Sequence, residues 1–135
     1  MRNIPPRNEI WFRKIYADLI RDRRVTAIFR PGRREDDHAK GFLIGETLRI
    51  KIVDKVGADW AGIYGQVRSD FEMTVRVLDI VFKPIGELTA EDFKGSTPDV
   101  HDTESMVYHL GVLYNLPPEE LTAQTIVTKT TFEYL

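Results

Sequence analysis

Hydrophobic and polar positions follow two periods along this chain. From Glu9 to about Arg21, Trp11, Ile15 and Leu19 are spaced by four, as are Phe12, Tyr16 and Ile20. Arg13, Lys14, Asp18 and Arg21 fall outside that stripe. The spacing predicts a core-facing helix, with Asn8 as N-cap and Glu9 in the first turn. Pro5-Pro6 keeps residues 1–8 out of the helix as a loosely ordered lead-in. At Val25 the pattern turns β-branched and aromatic, through Thr26, Ile28 and Phe29, and it stops at Pro31-Gly32. That reads as a strand over Val25–Arg30.

A period of two dominates the middle of the chain. Leu48, Ile50 and Ile52 alternate with Arg49 and Lys51, as a strand with one wet face does. Val56–Asp59 reads as a turn and Trp60–Val67 as a strand weakened by Gly62 and Gly65. Phe71–Phe82 reads as a long strand buried on both sides, with Val75, Val77 and Val81 sharing a face. Thr89 caps a short helix, and Asp102 or Thr103 caps a second that runs to about Asn115 with Met106, Leu110, Leu113 and Tyr114 inward. Pro117–Leu121 fits one more helical turn, and Thr125–Tyr134 a last strand. Strands succeed one another through short turns. The expected class is therefore α+β: a mostly antiparallel or mixed sheet of about five or six strands, curled into a small β-barrel with flanking helices, all in one domain over 1–135. A βαβαβ parallel sheet is disfavoured, since no helix separates the middle strands.

Composition narrows the class further. The chain is 42% hydrophobic and 30% charged, which excludes disordered and fibrous chains. No apolar run approaches a membrane span, and the first residues lack a signal-peptide core. The absence of cysteine excludes disulfides and thiolate metal sites and fits a cytoplasmic setting. The formal net charge of −2 hides an asymmetry: residues 1–34 hold ten basic and three acidic residues, the rest nine and eighteen. A basic first quarter on an acidic body suits a polyanion such as RNA. Pairing of that basic end with the acidic body is the alternative.

The candidate chemistry centres on Leu19–Gly32. Arg21, Arg23, Arg24 and Arg30 crowd a helix-to-strand turn, with Arg33 and Arg34 just beyond. Guanidinium groups there suit planar anions, phosphate above all, and they equally fit a solvated charged face. The loop 31–40 is long and polar enough for a binding loop. His38, His101 and His109 share no ligand spacing, so no metal and no cofactor is expected. His101 lies beside Asp99 and Asp102, a weak acid–base grouping. Trp60, Tyr64 and Phe71 suit base stacking if they face outward and core packing otherwise.

Several segments in order suggest a family. They are the first helix pattern, Leu-Ile-Arg-Asp-Arg-Arg-Val-Thr-Ala-Ile-Phe-Arg, then Phe-Leu-Ile-Gly-Glu-Thr-Leu-Arg-Ile, the long strand, Glu-Leu-Thr-Ala-Glu-Asp-Phe, a helix ending in Leu-Tyr-Asn, and a final strand. Over roughly residues 10–134 this order resembles the ASCH domain of the PUA-like superfamily, in short and degenerate motifs. The resemblance implies a small barrel with a cleft near the helix-to-strand segment, and an RNA, nucleotide or nucleoside ligand. It also implies an RNA-binding set of Arg23, Arg24, Thr26, Arg30, Arg33 and Arg34. Some ASCH-like proteins hydrolyse the acetyl amide of N4-acetylcytidine with a lysine, a threonine and a glutamate. Here Arg24 falls at or beside the lysine position and Thr26 at the threonine, while Asp99 is the nearest carboxylate to the glutamate and Glu104 another. Arginine stays protonated and cannot replace a lysine base. The sequence thus favours a binding module, with a small hydrolase acting on a modified nucleoside or on RNA through Thr26, Asp99 or Glu104 and an arginine clamp as the alternative. The sequence leaves oligomeric state open.

Overall fold

A computed structural model of the chain describes residues 7–34, 41–53 and 71–135. The expected turn at 56–59 and strand at 60–67, with Trp60 and Tyr64, lie outside the described residues, as does His38. The elements run β1 (Glu9–Arg13), α1 (Ala17–Arg21), β2 (Ala27–Pro31), β3 (Thr47–Val53), β4 (Glu72–Pro84), α2 (Thr103–Tyr114) and β5 (Ile126–Tyr134), with 3-10 turns between several of them. The fold class matches the expectation. One five-stranded mixed sheet, ordered β1-β3-β4-β5-β2, curls into a half-barrel with two helices. Among the described residues β1 and β3 pair in parallel, and the other ladders are antiparallel.

The predicted helix over 9–21 is corrected. Its first half is β1, a 3-10 turn follows at Lys14–Tyr16, and only Ala17–Arg21 is α-helical. Ile10 and Phe12 are buried at a period of two, whereas Ile15, central to the four-spaced stripe, is 73% exposed. The segment is rich in aromatic and β-branched residues, which suit a pleated surface. The Asn8 carbonyl accepts from the Arg49 amide at 3.0 Å, so Asn8 joins the sheet rather than capping a helix. The buried Glu9 carboxylate accepts from Trp11 Nε1 at 2.9 Å and pairs with Lys51 Nζ at 3.2 Å.

β4 is also corrected. Its register shifts between Val77 and Asp79, leaving a bulge at Leu78. Val77 faces Phe132 and Ile80 faces Thr130, so Val75, Val77 and Ile80 serve the same core. Val81 is opposite Lys129 and turns to the other face, away from Val75 and Val77. Thr74, Arg76 and Leu78 are exposed, so the strand is not buried on both sides.

The described residues form two hydrophobic clusters. One joins Ile10, Phe12, Tyr16, Ile20, Leu48, Ile50, Val75, Val77 and Phe132. The second, with Phe29, Ile85, Phe93, Met106, Leu110 and Val127, docks α2 on the opposite face of the sheet. Asp102 caps α2 by accepting from the Ser105 amide at 2.8 Å, and Asn115 ends it in the left-handed conformation. The short helix expected at Thr89 is a 3-10 turn, Ala90–Phe93, with a capping box from Thr89 and Asp92.

Candidate nucleic-acid interface

β2 organises the candidate residues. Val25, Ala27 and Phe29 are buried, while Thr26, Ile28 and Arg30 alternate with them and are half-buried. Thr26 and Arg30 therefore share a side of the strand, about 13 Å apart at a strand's rise per residue. The sequence-predicted residues sort to the two ends of this strand.

Before β2, α1 closes in a Schellman motif. The Arg24 amide donates to the Leu19 carbonyl at 2.9 Å and the Arg23 amide to the Ile20 carbonyl at 3.0 Å. Arg23 takes the left-handed position, φ 60°, which glycine usually fills. Arg23 and Arg24 are both exposed. The charge of Arg23 reaches the Tyr134 phenol, which burial pushes up to about 12 while Arg23 lowers it in part. Tyr134 itself donates to the Val25 carbonyl at 2.6 Å and so anchors the turn to β5.

Beyond β2 the arginines meet aromatic rings. The Arg30 guanidinium lies 4.6 Å from the Phe42 ring centre, Arg33 4.4 Å from Phe82, and Arg34 5.5 Å from Tyr114. Burial pushes the Arg30 guanidinium below its ordinary value; Tyr114 offsets this in part and the positive charge of Arg34 adds to it. Two guanidinium groups and a phenol from β2, its following turn and the end of α2 thus converge. The turn is held firmly. The Gly32 amide donates to the Ile126 carbonyl at 2.8 Å, the Arg34 amide to Thr128 Oγ1 at 2.8 Å, and that hydroxyl to the Gly32 carbonyl at 2.7 Å.

Thr26 is tied to a different loop. Its amide donates to the Gly95 carbonyl at 2.7 Å, and its own carbonyl accepts from the Phe132 amide at 2.9 Å. The loop after Gly95 carries Thr97 and Asp99. Asp99 accepts a hydrogen bond from the Tyr16 hydroxyl and lies 3.3 Å from His109 Nδ1. Thr97 hydrogen-bonds to both Tyr16 and Asp99. Burial raises the Asp99 carboxyl, but the bonds from Tyr16 and Thr97 and the nearby His109 outweigh it and hold the group low. Burial, then the bond to Asp99, push the Tyr16 phenol well up.

Glu104 stands apart, exposed in the first turn of α2. His101 does not share Asp99: its Nε2 lies 3.5 Å from Asp102 and its Nδ1 3.0 Å from the Pro98 carbonyl. The histidine on Asp99 is His109, which sequence spacing does not single out. Tyr16 belongs to the apolar stripe in the sequence, where its hydroxyl gives no separate signal. Among the described residues no group of three His, Cys, Asp or Glu is placed to hold a metal ion, and no helix is long and apolar enough to cross a membrane.

Comparison with known proteins gives a fold and stops there. The half-barrel with its helices is similar to the crystal structure of protein EF3133 from Enterococcus faecalis V583, described as of the DUF984 family. The TM-score is 0.56 at 13% identity, covering 98% of this chain and 82% of that one. No family model matches the sequence. No curated protein matches it either.

Proposed function

We propose that this chain is an RNA- or nucleotide-binding domain of the ASCH, PUA-like type, acting as a single unit over 1–135. The observation that carries the reading is the convergence of Arg30 and Arg34 beside Tyr114, with Arg30 over Phe42. The charge of Arg34 acts on the Arg30 guanidinium, and an anion bridging the two is attracted by both. Planar, forked donors match phosphate oxygens, and the neighbouring rings suit the base of the same nucleotide. Arg23, Arg24 and Arg33 extend the positive face along β2, and the motif resemblance points to the same ligand class. Such a domain works in the cytoplasm, where its RNA partners are.

The hydrolase alternative draws on the Thr26–Gly95 bond, which sets Thr26 against the loop of Asp99. Arg24 at the lysine position weighs against amide hydrolysis of acetylcytidine. A titration of short single-stranded and hairpin RNAs tests the binding reading. Wild-type protein should bind, Arg30→Ala and Arg34→Ala should each weaken binding at least tenfold, and Glu104→Ala should leave it unchanged. No binding to any RNA at low salt would overturn the reading.

A further inference from the structure

We propose that the site at Arg30 and Arg34 takes a terminal phosphate, the phosphomonoester at the end of an RNA strand or on a mononucleotide, rather than a phosphodiester within a strand. This rests on the RNA- or nucleotide-binding reading above and names the group that the site holds.

The arginines gather around one buried hydroxyl. Residues opposite one another in a ladder share a face of the sheet. Thr128 is opposite Arg30 on one side and opposite Phe82 on the other, so Arg30, Thr128 and Phe82 form a row across β2, β5 and β4. The turn after β2 comes back to that row. The Arg34 amide donates to Thr128 Oγ1 at 2.8 Å, and the Arg33 guanidinium lies 4.4 Å from the Phe82 ring centre. Thr128 in turn donates to the Gly32 carbonyl at 2.7 Å, which fixes the turn over the row. Arg30 is half-buried, 4.6 Å from the centre of the buried Phe42 ring, and the charge of Arg34 acts on it. Asp92 belongs to the other face of the sheet, with its partners Lys83 and Lys129, which alternate with this row. It leaves the charge of the three arginines standing.

The next row decides what can enter. Ile28, Thr130 and Ile80 are aligned beside the first row, one step nearer Thr26. Ile28 and Ile80 pack on the first hydrophobic cluster, and Thr130 is buried. The core therefore fills this side of β2 beyond Arg30, and a nucleotide chain cannot run along it. A strand reaches Arg30 with an end. Charge points the same way. A terminal phosphate carries about −1.5 to −2 at neutral pH and three strong acceptor oxygens. A phosphodiester within a strand carries a single negative charge and is flanked by sugar on both sides. Two forked donors meeting at one point suit the more highly charged group with its oxygens free.

Fluorescence anisotropy of an internally labelled single-stranded RNA tests this. One sequence is compared with hydroxyl groups at both ends, with a 5′-phosphate and with a 3′-phosphate. A nucleoside monophosphate and its nucleoside serve as competitors. Wild type should favour a phosphorylated form over its hydroxyl counterpart at least tenfold. Preference for the 5′ form, the 3′ form or the monophosphate supports the inference and identifies the source of the phosphate. Arg34→Gln should abolish the preference. Arg30→Lys should reduce it, since lysine keeps the charge and loses the fork. Glu104→Ala should leave it unchanged. RNA that binds equally well whatever its ends carry, with the monophosphate no better a competitor than the nucleoside, would overturn this inference and leave the binding reading standing. A preference untouched by both Arg30→Lys and Arg34→Gln would overturn it too. No binding of any RNA or of the monophosphate at low salt would remove both.

Discussion

The Thr26 amide donates to the Gly95 carbonyl at 2.7 Å, and the Thr26 hydroxyl stands where a Cβ on Gly95 would have to go. Gly95 also sits at φ +83°, where side chains are strained. The pair therefore fixes the Asp99 loop against the start of β2 through backbone alone. Gly95→Ala should destabilise the fold by about 1–3 kcal/mol, from strain and overlap together. Urea denaturation measures it. Adding Thr26→Ala should recover part of the loss by removing the overlap but not the strain, and equal midpoints for the single and double variants would contradict this account.

Arg23 occupies the left-handed position that ends α1. An arginine there costs about 1 kcal/mol relative to glycine. Arg23→Gly should raise stability by about that much while removing one cation from the ligand face. A chain that becomes more stable and binds RNA less well would show strain retained for binding. A loss of stability would show that the Arg23 side chain packs more usefully than its exposure implies.

The correction of residues 9–13 from helix to strand is open to direct test. Phe12→Ala should cost about 3–5 kcal/mol, since the ring is buried in the first cluster. Ile15→Ser should change stability by less than about 0.5 kcal/mol, since the side chain is on the surface. A four-spaced helix would make both costly.

Acid should weaken the fold from two sources. His109 lies below its ordinary value of 6.5, so the unfolded chain binds its proton first. Its contribution is complete above about pH 6.5 and is lost as pH falls from there. Asp92 and Asp99 are held below the ordinary 3.8, in each case by hydrogen bonds and cations that outweigh burial. Asp92 accepts from the Thr89 amide at 2.8 Å and from Lys83 Nζ at 3.0 Å. Their contribution is present above about pH 4 and is lost as pH falls through the depressed values. Melting temperature should drop gradually below pH 6.5 and steeply below 4, and His109→Gln should remove the upper part and soften the lower one, since His109 also helps hold Asp99 low. A wild-type melting temperature that is flat from pH 7 to 5 would contradict the assignment to His109.

The fold was legible where the period was unambiguous. β2, β3 and β5 and the capped α2 carry strand alternation or cap residues that admit one reading. Residues 9–13 do not, because Ile10, Trp11 and Phe12 satisfy a period of two and a period of four alike. Parallel pairing with β3, a non-local contact, decided between them. The bulge at Leu78 was invisible because nothing local marks it, yet it sends Val81 to the opposite face. The arginines were legible from charge density alone. Their division between the two ends of β2 was not, nor was His109 on Asp99, because nine residues of loop and helix separate that pair and only the docking of α2 closes the gap.

The most direct test of the central claim is the salt dependence of RNA affinity for wild type, Arg30→Ala and Arg34→Ala. Phosphate held by guanidinium groups releases counterions on binding, so affinity should fall linearly with log salt, with a slope of about 0.7 per single-strand phosphate contact. Wild type should show a slope of about 2 or more, and each variant should bind more weakly with a slope reduced by about 0.7. Affinity independent of salt, or slopes unchanged by either substitution, would contradict a phosphate site at Arg30 and Arg34.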